Sequence, residues 1–405
     1  MADSLRIVWV KIGGLWPPNM GGRLRSFHIV SELARRHRVS VLTTHGPSDD
    51  PEGLARELTH CEDVVSVPYA IPKAGSVDFA VALGRSWFSP YPADLWKCQV
   101  PGLQARLRET LASGVDLCVA DFLVAMPNVP RLSRPPTILF EHNVEYMIWK
   151  RLCEVEGRGW RRALLTLEWR KMRRYERRAC KQARLTVAVS EADRLLLSRE
   201  APEADIRAMA TGVDTSYFQP GGNEKPGTMV FTGAMDWYPN EDAVIDFTER
   251  ILPLVRGAVP EASLTVVGRN PSERLKQIAA RAGVRITGTV PDIRPHVANA
   301  AVCVVPLRVG GGTRLKIFEA LAMGKAVVST TIGAEGLPIK PGEHFLQADT
   351  PGEFADAVIG LLRDSGRRRA FGTVGRRLVE ERYSWGQVAR QFEGYCEEVV
   401  VEHAG

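Results

Sequence analysis

Three charged residues follow a run of glycines in the stretch 305–337, VPLRVGGGTRLKIFEALAMGKAVVSTTIGAEGL. Arg314, Lys316 and Glu319 come directly after Gly310, Gly311, Gly312 and Thr313. Glycines let backbone N–H groups approach an anion closely, and a helix N-terminus adds partial positive charge there. Cations in a helix's first turn oppose its macrodipole unless an anion sits among them. A diphosphate is such an anion. Glu319, one turn further on, offers acceptor oxygens to ribose hydroxyls. The plain alternative is a tight strand-to-helix turn with solvated charges, which glycines alone do not exclude.

The elements around these residues can be read from the pattern. A buried strand over 301–305 ends at Pro306. Thr313 can cap a helix over 314–323, with Gly324 as its stop. Leu315, Ile317, Phe318, Leu321 and Ala322 recur at helical spacing and face a core. A second apolar strand follows over 326–329. The order is strand, glycine loop, helix, strand.

The segment EALAMGKAVV and the adjoining GAEGL resemble the donor-site signature of retaining GT-B glycosyltransferases of family 4. The loop resembles that of a bacterial subgroup associated with exopolysaccharide synthesis. The resemblance puts Glu319 at the second glutamate of the family's E-x7-E motif, which binds the nucleotide ribose. Eight positions earlier stands Gly311, so the first glutamate, which touches the transferred sugar, is absent. Backbone amides of Gly311 and Gly312 are the substitutes on offer. Family members carry an arginine and a lysine for the diphosphate in the loop that here reads GAMDWYPNED. Ala234 stands in the arginine's place and no lysine follows, so Arg314 and Lys316 are expected to meet the phosphate charge beside Gly233. Asn240 is expected to cap the next helix. The loop TVPDIRPHV corresponds to the one that meets the nucleobase, which implicates Thr289 and Asp292.

The first half opens as strand 6–10, a Gly/Pro loop, helix 23–36 and strand 39–43, a βαβ unit of a parallel sheet. By resemblance, Gly21 and Gly22 touch the donor phosphates. After the strand TILF comes EHNVEY. A histidine just past a strand's end lies at the carboxyl edge of a parallel sheet, where open α/β folds bind ligands. His142 matches the family histidine close to the donor sugar. Asn143, Glu145 and Tyr146 are candidates for acceptor contacts. The stretch 68–101, rich in Pro and aromatics and poorly periodic, reads as an irregular insertion.

A length of 405 residues favours two domains, and 45% apolar with 25% charged residues is ordinary for a globular chain. The seven cysteines form no C-x-x-C pair, so neither a zinc site nor a disulfide framework is indicated, and a reducing cytosol fits. No apolar run approaches a membrane span, and residues 1–3 carry no basic n-region. The net charge of +6 is concentrated: 158–184 holds eleven Lys/Arg against Glu168 and Glu176. The helix expected over 160–181 carries an apolar stripe of Leu165, Trp169, Met172 and Ala179. It reads either as a packed helix with a solvated basic face or as a surface for anionic lipid headgroups. No zinc, helix-turn-helix or RNA-binding signature supports nucleic acid as a partner.

The expectation is an α/β protein of GT-B fold, two Rossmann-like domains facing across a cleft. Residues 1–208, joined by a C-terminal helix over 383–405, would bind the acceptor, and 209–382 the donor. ATGVDTSYFQP resembles the family's interdomain linker. The expected reaction moves a sugar from a nucleoside-diphosphate sugar, UDP-linked in preference to GDP-linked, to a lipid-linked or saccharide hydroxyl. Retention follows from the resemblance alone. Metal independence follows from the absence of any Asp-x-Asp pair, and no other cofactor is called for. The expected location is the cytoplasm, at the inner face of the plasma membrane. Two rivals stand: a GT-B sugar-nucleotide epimerase, and a non-catalytic GT-B subunit of a partner enzyme.

Overall fold

A computed structural model describes residues 4–18, 21–72, 76–130, 135–309 and 314–404. Its strands are short, apolar and buried on both faces at the centre of each sheet and partly exposed at the edges, the pattern of a parallel sheet covered by helices. In the first sheet these are β1 (Arg6–Lys11), β2 (Arg38–His45), β3 (Asp63–Pro68), β4 (Leu117–Asp121), β5 (Thr137–Phe140), β6 (Leu185–Ala188) and β7 (Ile206–Ala208). They pair in the order β3-β2-β1-β4-β5-β6-β7, all parallel. The second sheet contains β8 (Thr228–Thr232), β9 (Ser263–Val267), β10 (Arg285–Ile286), β11 (Val302–Val305), β12 (Ala326–Ser329) and β13 (Leu346–Gln347). Its order is β10-β9-β8-β11-β12-β13, again parallel throughout.

In both sheets the strand order reverses once, between β1 and β4 and between β8 and β11. Loops leaving the carboxyl ends of such strand pairs diverge to opposite faces and open a crevice. Lys11 and Asp121 end the strands at the first of these points, and Gly233 follows β8 at the second.

The chain divides into two units, 1–209 with 388–405, and 210–387. The second has one continuous apolar core around β8, β11 and β12. The first has a core on each face of its sheet. On one face Trp9, Phe140 and Phe392 pack with ring centroids 5.1–5.6 Å apart. Phe392 belongs to the terminal helix Trp385–Ala404, which adds Val388, Phe392, Cys396 and Val399 to that core.

Several local expectations need correction. The stretch 68–101 is not irregular: it forms helices Val77–Trp87 and Ala93–Trp96. Its composition hid the first because Val77 and Val81 are exposed, which blurs the periodicity. Gly21 and Gly22 open the helix Gly21–Leu33 instead of preceding it. The helix after β11 spans Leu315–Ala322, with Arg314 at the cap position and Gly324 closing it at φ +65°. Asn240 does not cap: the helix Tyr238–Asp246 begins two residues earlier, with Pro239 in its first turn. Ser190 does cap its helix, accepting the Asp193 N–H at 3.1 Å. Gly310, Gly311, Gly312 and Thr313 lie outside the described residues.

Candidate functional site

In the second unit the site is assembled from the loop after β8 and the helix after β11. Lys316 sits under the β8 loop. Its Nζ donates to Asn240 Oδ1 at 2.8 Å and lies 4.1 Å from the centre of the Phe231 ring. Asn240 Nδ2 in turn donates to Ala234 O at 2.8 Å. The two side chains tie the loop to the helix, and they explain Gly233: a Cβ there would stand 2.7 Å from both Lys316 Nζ and Asn240 Nδ2. Arg314 is buried, its guanidinium carbon 5.6 Å from the centre of the Trp237 ring, while Trp237 itself is partly exposed.

Burial sets the charge states here. It pulls the Lys316 ammonium down to about 7, against the attraction of Glu319 and helped by Arg314. It pushes the Glu319 carboxyl up to about 7, against the attraction of Lys316. Burial lowers Arg314 as well, which Glu335 partly offsets. Lys316 and Glu319 border a cavity of about 10 Å³ beneath the helix, with Thr232 and Cys303 on its walls. Of the expected donor-site residues, Gly233, Arg314, Lys316 and Glu319 come together. Thr289 and Asp292 follow the edge strand β10, two strands away from β8. Thr289 is exposed. Asp292 accepts from the Arg294 backbone N–H at 2.9 Å and from its guanidinium, opening the helix Arg294–Asn299.

In the first unit, alternation along β1 and β4 places Lys11 on the face of Trp9, and Asp121 on the face of Val119. Lys11 and Asp121 are register partners at the carboxyl ends of these strands. The Asp121 carboxylate is fully buried. It accepts from Trp9 Nε1 at 2.7 Å and Lys11 Nζ at 3.0 Å, and His142 Nε2 lies 2.7 Å from its Oδ1. Ser26 Oγ accepts from Lys11 Nζ at 3.1 Å and donates to Gly22 O at 2.8 Å. Burial pushes Asp121 up, but Lys11 and His142 outweigh it and hold the carboxyl below the usual range. Burial, assisted by Lys11 and Arg25, pulls His142 down to about 4 despite Asp121. The imidazole is therefore neutral near pH 7. Gly22 lies against its ring: a Cβ there would be 3.7 Å from His142 Cγ.

Of the expected first-unit residues, the structure brings His142 and Gly22 together, beside Lys11, Ser26 and Asp121, which sequence reasoning did not single out. The signal was present: IVWVK and LCVAD each end an apolar strand on a charge. A second sign is Phe122, a non-glycine residue at φ 78° directly after Asp121, its ring 5.4 Å from that of His142. Such backbone gathers at functional sites.

Below the His142 loop, Glu176 Oε1 and Oε2 accept the N–H groups of Glu145 and Tyr146, at 2.8 and 2.9 Å, and so hold the start of the helix Glu145–Val155. Burial pushes Glu176 up to about 8. Glu141 is buried with neither carboxyl oxygen hydrogen-bonded among the described residues. Burial, with Glu176 and Glu145 nearby, raises it well above the carboxylate range. Tyr146 is buried in the core, so it is not placed for an acceptor contact.

Among the described residues, His37, Glu393 and Glu397 form the one grouping of metal-ligand type. Two of its three members are already engaged. The Leu5 N–H donates to His37 Nδ1 at 3.2 Å, which leaves the ring proton on Nε2, 3.0 Å from Glu393. Arg36 Nε donates to the same carboxylate at 2.7 Å. His37 and Glu393 are thus held in an ion-pair and hydrogen-bond network with Arg36.

With this geometry in hand, the chain can be set beside known proteins. Residues 21–217 match the model described as Glycosyltransferase Family 4, and residues 226–364 the model described as Glycosyl transferases group 1. The MMP alpha-(1->4)-mannosyltransferase of Mycolicibacterium hassiacum is 25% identical over 63% of this chain and 64% of its own. A GDP-mannose-dependent alpha-(1-6)-phosphatidylinositol monomannoside mannosyltransferase of Mycolicibacterium smegmatis is 28% identical over 45% of this chain and 54% of its own. The chain thus spans between half and two thirds of these relatives. The crystal structure of Anabaena HepE in complex with UDP and glucose superposes with a TM-score of 0.63, at 15% identity, over 96% of this chain and 99% of that one. That likeness concerns the fold. The two matches lie one in each half and together span most of the chain, which is thus similar to the family 4 glycosyltransferases and has the GT-B fold.

Proposed function

We propose that the protein transfers a glycosyl unit from a nucleoside-diphosphate sugar to an acceptor hydroxyl, the donor held by the second unit and the acceptor by the first. The observation that carries this reading is the convergence of Arg314, Lys316 and Glu319 on one helix at the switch point of the second sheet. Breaking the bond between the anomeric carbon and the phosphate oxygen leaves negative charge on the diphosphate. Arg314 and Lys316 neutralise that charge, Glu319 accepts from the ribose hydroxyls, and Gly21 and Gly22 line the phosphates. His142 and Asn143 face the sugars. Thr289 and Asp292 border the base.

Relatives described as GDP-mannose-dependent and a fold neighbour bound to UDP support a nucleoside-diphosphate donor of either base. UDP-sugars are the first choice here. Transfer proceeds with retained configuration and without a metal, to a lipid-linked or saccharide acceptor, in polysaccharide or glycoconjugate synthesis. The test is turnover of UDP- and GDP-sugars in EDTA, with the product's anomeric coupling read by NMR. Activity lost on chelation and restored by magnesium or manganese would defeat metal independence, and an inverted centre would defeat retention.

The same reading places the enzyme in the cytoplasm, against an anionic membrane face. Among the described residues no helix is long and apolar enough to cross a membrane. The helix Gly159–Gln182 turns its two acidic residues, Glu168 and Glu176, inward. Its exposed surface is basic with Trp160, Leu164 and Leu167 exposed beside the arginines. Each basic residue near an anionic surface contributes about 1 kcal/mol. Equal sedimentation with neutral and anionic vesicles at low salt would refute this placement.

A further inference from the structure

The hydrogen bonds around His142 fix more than its position. Trp9 Nε1 and Lys11 Nζ are donors only. Both point at Asp121, at 2.7 and 3.0 Å, so Asp121 is an ionised acceptor. His142 Nε2, 2.7 Å from the same carboxylate, must then carry a proton. Ser26 cannot supply one in its place, because its hydroxyl donates to Gly22 O at 2.8 Å. Ser26 Oγ instead stands 3.3 Å from Nε2 as a second, weaker acceptor. The ring is also kept from taking a second proton. Lys11 from β1 and Arg25 from the helix Gly21–Leu33 oppose it, as does burial, while Asp121 from β4 favours it, and the balance falls at about 4. Among the described residues no hydrogen bond reaches Nδ1, and the missing side chain of Gly22 keeps the ring's flank open, a Cβ there falling 3.9 Å from Nδ1.

We infer that Lys11 and Asp121 are positioning residues that fix His142 as a neutral imidazole with its proton on Nε2, so that Nδ1 accepts a hydrogen bond from a hydroxyl group of the transferred sugar. This rests on the reading above that His142 faces that sugar. It makes the histidine a reader of donor chemistry: a hydroxyl at that position is recognised, and a keto or deoxy carbon is not. Lys11 holds the pair together. It supplies positive charge that favours the ionised Asp121 and adds to burial in keeping His142 neutral.

Histidine-labelled full-length protein gives the tautomer directly by nitrogen-15 NMR, the signal of residue 142 being the one lost in His142→Gln. The expected spectrum at pH 7 has a protonated Nε2 and an unprotonated Nδ1. A protonated Nδ1, alone or in an imidazolium, overturns the inference. In Lys11→Met a cation is removed while Asp121 stays, so the imidazole takes its proton at higher pH. The acid limb of kcat against pH should move up by about one unit or more. An unmoved limb overturns the inference. In Asp121→Asn the amide no longer fixes the proton on Nε2, so the hydrogen bond to the sugar hydroxyl weakens and donor KM should rise about tenfold. Absence of turnover with every nucleotide sugar would defeat the functional reading alone, because the NMR result on the unmodified protein stands by itself.

Discussion

Replacing Lys316 by Gln separates a cation kept for binding from one kept for architecture. Glutamine retains a donor for Asn240 and removes the charge. Burial has moved the ammonium from 10.5 to about 7. At ~1.4 kcal/mol per unit, that is a cost of roughly 5 kcal/mol to the folded, charged form. Lys316 is only half-buried, so solvent screens a good part of this, and about 2 kcal/mol is the gain to expect. For a unit the size of 210–387, this raises Tm by about 4–8 °C at pH 7. The sign follows from the depressed pKa. Near pH 7 the unfolded lysine binds a proton that the folded one half releases, and as pH rises toward 10.5 the unfolded form loses it too. The variant's advantage should therefore shrink to about half by pH 9. Affinity for UDP and GDP should meanwhile fall about tenfold or more, the loss of a charged hydrogen bond to phosphate. Thermal unfolding at the two pH values and calorimetric titration of the nucleotides check both halves. A lower Tm at pH 7 with unchanged affinity would make Lys316 a pin for the β8 loop and refute the argument.

Glu319→Gln should remove the acid limb of nucleotide binding: the carboxyl, raised to about 7, loses its charge as pH falls toward 6, and with it its strength as an acceptor for ribose. Titration of UDP against inorganic pyrophosphate at pH 6 and 8 checks this, the pyrophosphate being unaffected. Gly233→Ala drives a Cβ to 2.7 Å from Lys316 Nζ and Asn240 Nδ2, and should cost about 1–3 kcal/mol in urea unfolding as well as weaken UDP binding. Trp9→Phe deletes the 2.7 Å donor to a buried carboxylate and should cost about 1.5–3 kcal/mol, read as a shift in the unfolding of the first unit with the second unmoved.

The parallel strands were legible because each is a short apolar run between polar turns, and β5 and β12 begin and end where the pattern predicts. Arg314, Lys316 and Glu319 were legible because their spacing on one helix is a local property. The partners of His142 were not. Lys11 and Asp121 stand 110 positions apart in the chain. Only the strand order, which puts β1 beside β4, makes them neighbours. Asn240 was misread for the same reason: its local look is that of a cap, but its partner Lys316 lies 76 residues away. The helix Val77–Trp87 was missed because an exposed apolar face breaks the amphipathic rule on which the reading depends.

The terminal helix has a consequence for how the chain is made. Translation delivers β1, then the whole of 210–387, and only then Val388, Phe392 and Val399, which share a core with Ile7 and Trp9. Until they emerge, the first unit has an uncovered apolar face, and the rings of Trp9 and Phe140 lack Phe392. The second unit has every one of its core residues before that moment. The nascent polypeptide should therefore complete its later-encoded half first, reversing the usual order in which domains mature on the ribosome. During that interval the first half is the segment exposed to chaperones and proteases. A ribosome stalled past residue 387 would display it in that state, protease-sensitive beside a resistant neighbour.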